Sequence, residues 1–440
     1  MRRYLFVSLC IGFIVSVAVL TLVHLGIFGS LDGALGQLYR AAGFTPAVTG
    51  ASVSAGGGHQ MEVSIILAAA FAAAWCVIDI PHVGQKMLVF LTLIVVLLAL
   101  SPTLALYGVV FAPFSSVCAA SLATAAGFAY SGTEHGMRKR LLLDLLGARV
   151  SQETFRKLMD SREPVRFNGS NRAVSVLTCR VFNHPELREK MEPSELVAMG
   201  NLFLRNTADF LLSKGGYLDE SSPDMVRVFF GMVRPADDHA IEASRAALEL
   251  RTRLRNLNDE CETRWFRKLD YGIAISSGPM TVGIYGSKRH YYFSGVGSDT
   301  DFSRRLAQAN ARYGSDILVS APTYQLVKET TAVRPMEMLY DPERNLMTEV
   351  YQLLALIEDF NEEDKARRDA YWQGVILYRS GKFEDALAQF SVAEVVGKEG
   401  GPVRFFIERC QAGLAGESVD KAENRHELTD QGHARLLNMM

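Results

Sequence analysis

The stretch SVLTCRVFNHPEL, residues 175–187, decides how the second half of the chain is interpreted. Residues 175–179 have the composition of a β-strand, and Asn183, His184 and Pro185 predict a turn directly after it. A helix at about 194–214, the hairpin KGGYLDE–DMVRVFFG and the amphipathic helix DDHAIEASRAALEL follow. More strands and one more helix extend to about residue 355. This order predicts a mixed α/β domain of ferredoxin-like βαββαβ type.

The distribution of charge divides the chain into two regions. The 440 residues carry a net charge of −2, so no global basic field points to nucleic acid as a partner. Between Lys86 and Glu134 there is no Asp, Glu, Lys or Arg, whereas the chain after Arg138 is densely charged. The six cysteines show no metal-binding spacing. We therefore expect a membrane region over 1–131 and a soluble region after it.

The apolar region predicts about four transmembrane helices. Their expected ranges are 4–28, 63–78, 87–100 and 104–130, with residues 29–60 as a short external loop and a turn at 101–103. Arg2, Lys86 and the basic run 138–140 then fall on one side, which the positive-inside rule makes cytoplasmic. This predicts a multi-pass protein of the inner (plasma) membrane. A cleaved signal peptide in place of the first span is the alternative.

Three further segments are expected in the soluble region. Residues 132–165 predict a connecting signalling helix, broken near Gly147, ahead of the α/β domain at 166–357. Residues 358–416 predict a short α-helical extension, and 417–440 form a polar tail. The extension has small and aromatic residues at tetratricopeptide spacing: Gly374, Tyr378, Gly381, Phe383, Ala386 and Phe390. Because one repeat cannot bury its apolar face alone, we expect it to pack on the α/β domain or on a partner.

Residues 143–355 resemble a class III nucleotidyl cyclase domain, adenylyl or guanylyl. The motifs, in family order and with similar spacing, are LLGARVSQETFRKLM, NRAVSVLTCRVFNHPEL, KGGYLDESSPDMVRVFFG, DDHAIEASRAALEL and YGIAISSGPMTVGIYGSKRHYYFSGVGSDTDFSRRL. The resemblance implies conversion of ATP or GTP to a 3′,5′-cyclic nucleotide and pyrophosphate. It also implies Mg²⁺ or Mn²⁺ as cofactor if the protein is active, and no cofactor otherwise.

The resemblance implies two metal-binding aspartates, and this chain matches only one of them. Asp224 aligns with the second, whereas Arg180 stands where the first is expected. Two unit charges 4 Å apart interact by about 4 kcal/mol at an effective dielectric constant near 20. A divalent ion facing a guanidinium would be repelled by about twice that energy. We therefore expect ordinary two-metal catalysis to be impaired.

Other positions of the family pattern are partly kept. Arg305 matches the arginine that neutralises charge in the transition state, and Asp301 stands where the family has a ribose-binding asparagine. Glu220 and Ser294 match the base-recognition positions and lean towards GTP. Arg344 is a loose match for the triphosphate-binding lysine.

Three classes of function remain open on these residues. The first is an active cyclase with a rearranged metal site. The second is a non-catalytic nucleotide-binding regulatory subunit, and the third is a dimerisation partner. The resemblance implies head-to-tail dimers with Asp224 of one chain facing Arg305 of the other. The partner would be a second copy or another cyclase domain.

Overall fold

The computed structural model describes residues 2–41, 55–80, 83–106, 111, 113–132, 141–160, 167, 169–287, 290–341, 345–394, 401–416, 426–428 and 434–436. The chain divides into two compact units, one formed mainly by residues 1–147 and one mainly by 163–440. Each unit is described by itself below.

The first unit is a helix bundle. Its helices are α1 (Arg2–His24), α2 (Gly29–Ala41), α3 (Ala55–Asp79), α4 (Val83–Leu106) and α5 (Phe114–Ser131). By length and composition, three described segments are able to cross a membrane: Tyr4–His24, Gln60–Asp79 and Val83–Leu104. Small residues of α3 and α5, among them Ala70, Ala74 and Ala120, form the buried core between the helices. Their small side chains allow the backbones to approach closely, as in membrane helix pairs.

Two details of the predicted membrane region are wrong. The turn expected at 101–103 does not form, because α4 continues as a helix through Pro102 to Leu106. Proline removes one backbone donor, and the Thr103 hydroxyl donates to the carbonyls of Ala99 (3.1 Å) and Leu100 (2.9 Å) within the same turn. The predicted span 104–130 is consequently not one helix. The expected loop 29–60 also contains helix, since α2 and the start of α3 lie in it.

The second unit contains a ten-stranded sheet. Its strands are β1 (Ser170–Val181), β2 (Tyr217–Ser222), β3 (Met225–Phe230), β4 (Tyr271–Gly286), β5 (Tyr291–Val296), β6 (Ile317–Ser320), β7 (Thr331–Asp341), β8 (Leu346–Leu356), β9 (His426–Leu428) and β10 (Ala434–Leu436). The order is β10-β9-β7-β8-β6-β4-β1-β3-β2, with β5 paired to β4. The central order β4-β1-β3-β2 is antiparallel throughout and confirms the predicted ferredoxin-like arrangement.

Helices cover both faces of the sheet. They are α7 (His184–Lys190), α8 (Pro193–Leu204), α9 (Phe210–Ser213), α10 (His239–Trp265), α11 (Ser298–Tyr313) and α12 (Ala321–Val327), with a π-helical turn at Arg205–Asp209. A further helix, α6 (Gln152–Asp160), precedes them in the chain and is divided between the two units. On one face, Leu177 and Cys179 of β1 share a core with residues of α8 and α10. On the other face, Phe302 and Leu306 of α11 pack with Ala274 of β4. The result is a three-layer domain.

The last helices form the extension: α13 (Glu362–Arg379), α14 (Phe383–Ala393) and α15 (Pro402–Leu414). Gly374 of α13 lies against Phe390 of α14, as the tetratricopeptide spacing requires. Phe405 of α15 contacts the Tyr313 ring of α11 edge-on at 5.2 Å. The extension therefore packs on the α/β domain of its own chain.

Candidate active site

The end of strand β1 and the β2–β3 turn lie side by side. Arg180 stands opposite Met225 of β3 and Gly272 of β4 in the sheet register. The backbone N–H of Val181 donates to the carbonyl of Asp224 at 2.8 Å. The strand end that carries Arg180 is thus joined directly to the turn that carries the metal-type carboxylate.

The Arg180 side chain is half-buried, and one of its guanidinium nitrogens has no hydrogen-bond partner in the part of the chain that the structure describes. Its Nη1 atom is shielded from solvent and has no hydrogen-bond partner among the described residues. Strand residues alternate between faces, so Arg180 lies on the same face as Thr178, whose hydroxyl contacts that of Ser303 on α11 at 2.8 Å. An unsatisfied donor on a cation is costly to bury, and an oxyanion is the group that would satisfy it.

The Asp224 carboxylate is held within its own turn. Ser222 Oγ donates to Asp224 Oδ1 at 2.7 Å and accepts from the Met225 N–H at 3.1 Å. Over the described residues, no group of three or more His, Cys, Asp or Glu side chains is arranged to hold a metal. Mg²⁺ needs several oxygen ligands in near-octahedral geometry. One carboxylate beside a guanidinium does not fit Mg²⁺ or Mn²⁺.

The turn after β1 is tied to a neighbouring loop. The Phe182 N–H donates to the carbonyl of Asp270 at 2.7 Å, and the Asn183 side chain bonds the backbone of Lys268 and Asp270. A cyclase would use backbone N–H groups of this turn to hold phosphates. Here the Phe182 N–H is already engaged, whereas Nη1 of the Arg180 guanidinium at the strand end has no hydrogen-bond partner among the described residues.

Helix α11 carries the other two predicted catalytic positions. Asp301 and Arg305 are one turn apart and share a face of the helix. Arg305 is 4% exposed, while Asp301 is half-exposed and lies 3.5 Å from Arg304 Nη2. Arg305 is therefore a buried cation on the helix that is predicted to carry catalytic residues, and its burial is consistent with a fixed position.

Sequence reasoning missed Asp299, two residues before Asp301. It is 1% exposed, and Ser276 Oγ of β4 donates to its Oδ1 at 2.5 Å. A Cβ on Gly278 would lie 2.1 Å from Asp299 Oδ2, so only glycine fits opposite this carboxylate. Asp299 therefore fixes the first turn of α11 to the sheet. The sequence signal that could have pointed to Asp299 is Gly278, a glycine inside a strand pattern.

The two predicted base-recognition residues are connected through two others, Asp219 and Arg227. Ser294 of β5 donates to Asp219 Oδ1 at 2.5 Å, and Asp219 Oδ2 accepts from Arg227 at 2.8 Å. Glu220 also pairs with Arg227, at 2.9 Å. The register of β2 on β3 shifts between Leu218 and Glu220, so Asp219 occupies a bulge and turns inward.

The connecting segment reaches this same bulge. Leu218 N–H donates to the carbonyl of Arg149 at 2.8 Å, and Arg149 Nη1 donates to the carbonyl of Asp219 at 2.8 Å. Residue 149 lies directly ahead of α6, so the segment that enters the domain is bonded to the backbone at the base-recognition position. Arg344, the predicted triphosphate ligand, lies outside the described residues.

Comparison with known proteins agrees with the motif analysis. The terminal-differentiation specific adenylate cyclase of Dictyostelium discoideum is 21% identical over 251 residues, 54% of this chain and 11% of its own length. The adenylate cyclase of Anabaena cylindrica is 23% identical over 155 residues, 34% of this chain and 30% of its own length. The chain therefore spans about a tenth and about three tenths of these relatives. No protein-family model matches the chain.

The chain is also similar to solved structures of cyclases. The guanylyl cyclase Cya2 has a TM-score of 0.40 and 23% identity, covering 44% of this chain and 97% of that chain. The adenylyl cyclase CyaB from P. aeruginosa has the same TM-score and identity, covering 44% of this chain and all of that chain (100%). The sequence relatives confirm the predicted resemblance of this chain to class III nucleotidyl cyclases.

Proposed function

We propose that this chain is a membrane-anchored class III cyclase homologue that binds ATP or GTP and acts in cyclic-nucleotide signalling with impaired turnover. The observation that carries the proposal is the Arg180 guanidinium at the end of β1, joined through Val181 to the Asp224 turn. A cation there replaces the carboxylate that would attract a metal, and the reaction loses its main source of charge stabilisation.

Arg180 has a direct role in this proposal. Its guanidinium presents donors in a planar fork that matches two oxygens of one phosphate group. The Nη1 atom without a partner is the donor that such a phosphate would satisfy. Nucleotide would then be held as a ligand, and the positive charge that a metal would otherwise supply comes from the protein.

The proposal assigns a partner as well. In head-to-tail dimers, Asp224 and Arg180 belong to one half of each pocket, and Asp301 and Arg305 belong to the other. A homodimer has Arg180 in both pockets. A heterodimer with another cyclase domain regains two aspartates in one pocket, to which this chain contributes Arg305 and, at the triphosphate, Arg344.

Base preference is proposed from the acidic cluster. Asp219 and Glu220 both lie near Ser294, with Arg227 between the two carboxylates. Carboxylate oxygens accept from guanine N1–H and N2–H, which favours GTP. We further propose a multi-pass arrangement in the inner (plasma) membrane with the cyclase domain on the cytoplasmic side. Three apolar helices support it, and α5 as a fourth span would put Arg2, Lys86 and the basic run 138–140 on one side.

The test compares the full-length protein with an Arg180→Asp variant. Both are assayed for cyclic nucleotide formation from ATP and GTP, with Mg²⁺ and with Mn²⁺. We expect little or no product from the unmodified protein and at least a tenfold gain in the variant, because the carboxylate replaces repulsion of a divalent ion by attraction. Nucleotide binding to the unmodified protein is measured by isothermal titration calorimetry.

Arg180→Ala is the matched control, since it removes the cation without adding a ligand. It should stay inactive and should also bind nucleotide more weakly than the unmodified protein. Equal turnover in the unmodified protein and Arg180→Asp would overturn the proposed impairment. Nucleotide affinity unchanged in Arg180→Ala would overturn the proposed phosphate contact.

A further inference from the structure

A second cavity lies away from the nucleotide site, between the cyclase domain and the helical extension. It has a volume of about 370 Å³ and is lined by residues of α10, β7, β8, α13 and the start of α15. This volume is at the lower end of the roughly 300–1,000 Å³ of small-molecule sites. The cavity is therefore large enough for a small metabolite and too small for a protein segment of any length.

Two arginines that line this cavity are partly buried and have no carboxylate partner. Arg251 of α10 donates from Nη2 to the carbonyl of Leu354 at 3.0 Å, and its Nε is buried without a hydrogen-bond partner. Arg334 of β7 donates from Nε to Gln352 at 2.7 Å, and its guanidinium lies 4.4 Å from the centre of the Tyr371 ring. Among the described residues, neither side chain forms an ion pair.

The acidic residues of the cavity do not neutralise these two cations. Asp316 is engaged by Arg255 at 2.7 Å, and Asp364 lies 3.9 Å from Arg367. Asp359 and Glu394 are exposed, where water and salt screen their charge. The cavity thus has two partly buried cations facing it and its unpaired carboxylates in solvent.

Such an arrangement is costly unless something negative fills it. A charge withdrawn from water needs a partner, because an uncompensated buried charge strongly destabilises the folded state. Burial lowers the pKa of both Arg251 and Arg334, and the opposing effects of Asp316 on Arg251 and of Tyr371 on Arg334 are smaller. Both arginines present planar forks suited to the paired oxygens of a phosphate or carboxylate.

We propose that this cavity binds a small ligand carrying a phosphate or a carboxylate, held by Arg251 and Arg334. The ligand would contact the α/β domain through Arg251 of α10 and Arg334 of β7, and the extension through α13 and α15. Its binding would therefore strengthen the attachment of the extension to the domain. This site is independent of the nucleotide pocket, since none of its lining residues is among those assigned to nucleotide.

The experiment measures thermal unfolding of the full-length protein in detergent micelles. Melting temperatures are compared in chloride, inorganic phosphate and succinate at matched ionic strength. Phosphate, succinate or both should raise the melting temperature by about 2–5 °C at about ten times the dissociation constant. The two anions distinguish a phosphate ligand from a carboxylate ligand. No rise in either buffer would overturn the proposal.

Variants test whether the anion raises the melting temperature by binding in the cavity. Arg251→Met should abolish the rise, and Arg334→Lys, which keeps the charge but loses the fork, should weaken anion binding about tenfold by calorimetry. Arg404→Met is the matched control, because Arg404 is exposed on α15 and pairs only with Glu408. Arg180→Ala should retain the rise. A rise lost in Arg180→Ala and kept in Arg251→Met would place the anion in the nucleotide site and overturn the proposal.

Discussion

Asp219 illustrates how one residue outside the expected pattern changes a site. The spacing before Asp224 selects Glu220 as the base-recognition position, yet the side chain that meets Ser294 is Asp219. The reason is the bulge between Leu218 and Glu220, which turns the extra residue inward. A bulge depends on the register of the partner strand, so the local sequence of β2 alone does not reveal it.

His239 provides a prediction at the residue scale. Its Nδ1 is hydrogen-bonded with Ser175 Oγ at 2.7 Å, and Ser175 Oγ is 2.6 Å from Ser277 Oγ. Burial lowers the pKa of His239, although Asp238 and Asp237 act in the opposite direction. The unfolded chain therefore binds a proton more readily than the folded one. Stability should be complete above about pH 6.5 and fall as the pH drops towards the lower folded-state pKa.

The measurement is the free energy of unfolding of the full-length protein between about pH 7 and about pH 5. His239→Gln keeps a hydrogen-bonding side chain but does not titrate, so its stability should fall less over this range. Parallel curves for the two proteins would show that His239 does not contribute to the pH dependence.

The elements were predicted more accurately than the residues that act within them. The alternation of apolar residues identifies β1, the β2–β3 hairpin, β4 and α11 near their observed bounds, because each packs one face on a common core. Pro102 predicts a turn, but α4 continues through it, and the Thr103 hydroxyl bonds carbonyls of the same turn. The environment, more than the local sequence, decides such cases.

Gly374 allows a test of the extension at this scale. An added Cβ would lie 2.7–3.0 Å from ring atoms of Phe390. Alanine normally favours a helix over glycine by about 1 kcal/mol, but overpacking costs about 1–3 kcal/mol. We expect Gly374→Ala to destabilise the protein in chemical denaturation. Gln373→Ala, at the exposed neighbouring position, should have little effect, and a stabilised Gly374→Ala variant would contradict this account of the packing.

At the scale of the whole molecule, the extension shares the core of the cyclase domain. Glu337 of β7 is 7% exposed and accepts from Tyr313 at 2.7 Å and from Arg409 of α15. Arg312 lies 3.5 Å away on α11. The helix that carries Arg305 is thus connected at its far end to the extension. The tetratricopeptide spacing predicted the helix pair, but not this buried carboxylate that joins three elements.

Removing the Arg409 guanidinium should therefore destabilise the whole domain. We expect Arg409→Met to lower the free energy of unfolding by about 2 kcal/mol, because Glu337 stays buried with a cation lost. The matched change Arg404→Met breaks an exposed pair and should cost less than about 0.5 kcal/mol. The free energy of unfolding of both variants is measured by denaturant titration. Equal, small losses would mean that the extension is only loosely attached.

The Glu337–Arg409 pair also has a consequence for folding during synthesis. The two residues are 72 positions apart, and Arg409 is made after every cyclase strand from β1 to β8. At translation rates of about 5–20 residues per second, roughly 4–14 s separate the synthesis of Glu337 from that of Arg409. During that interval the nascent domain exposes the surface that α15 will cover, so its completion depends on the synthesis of α15.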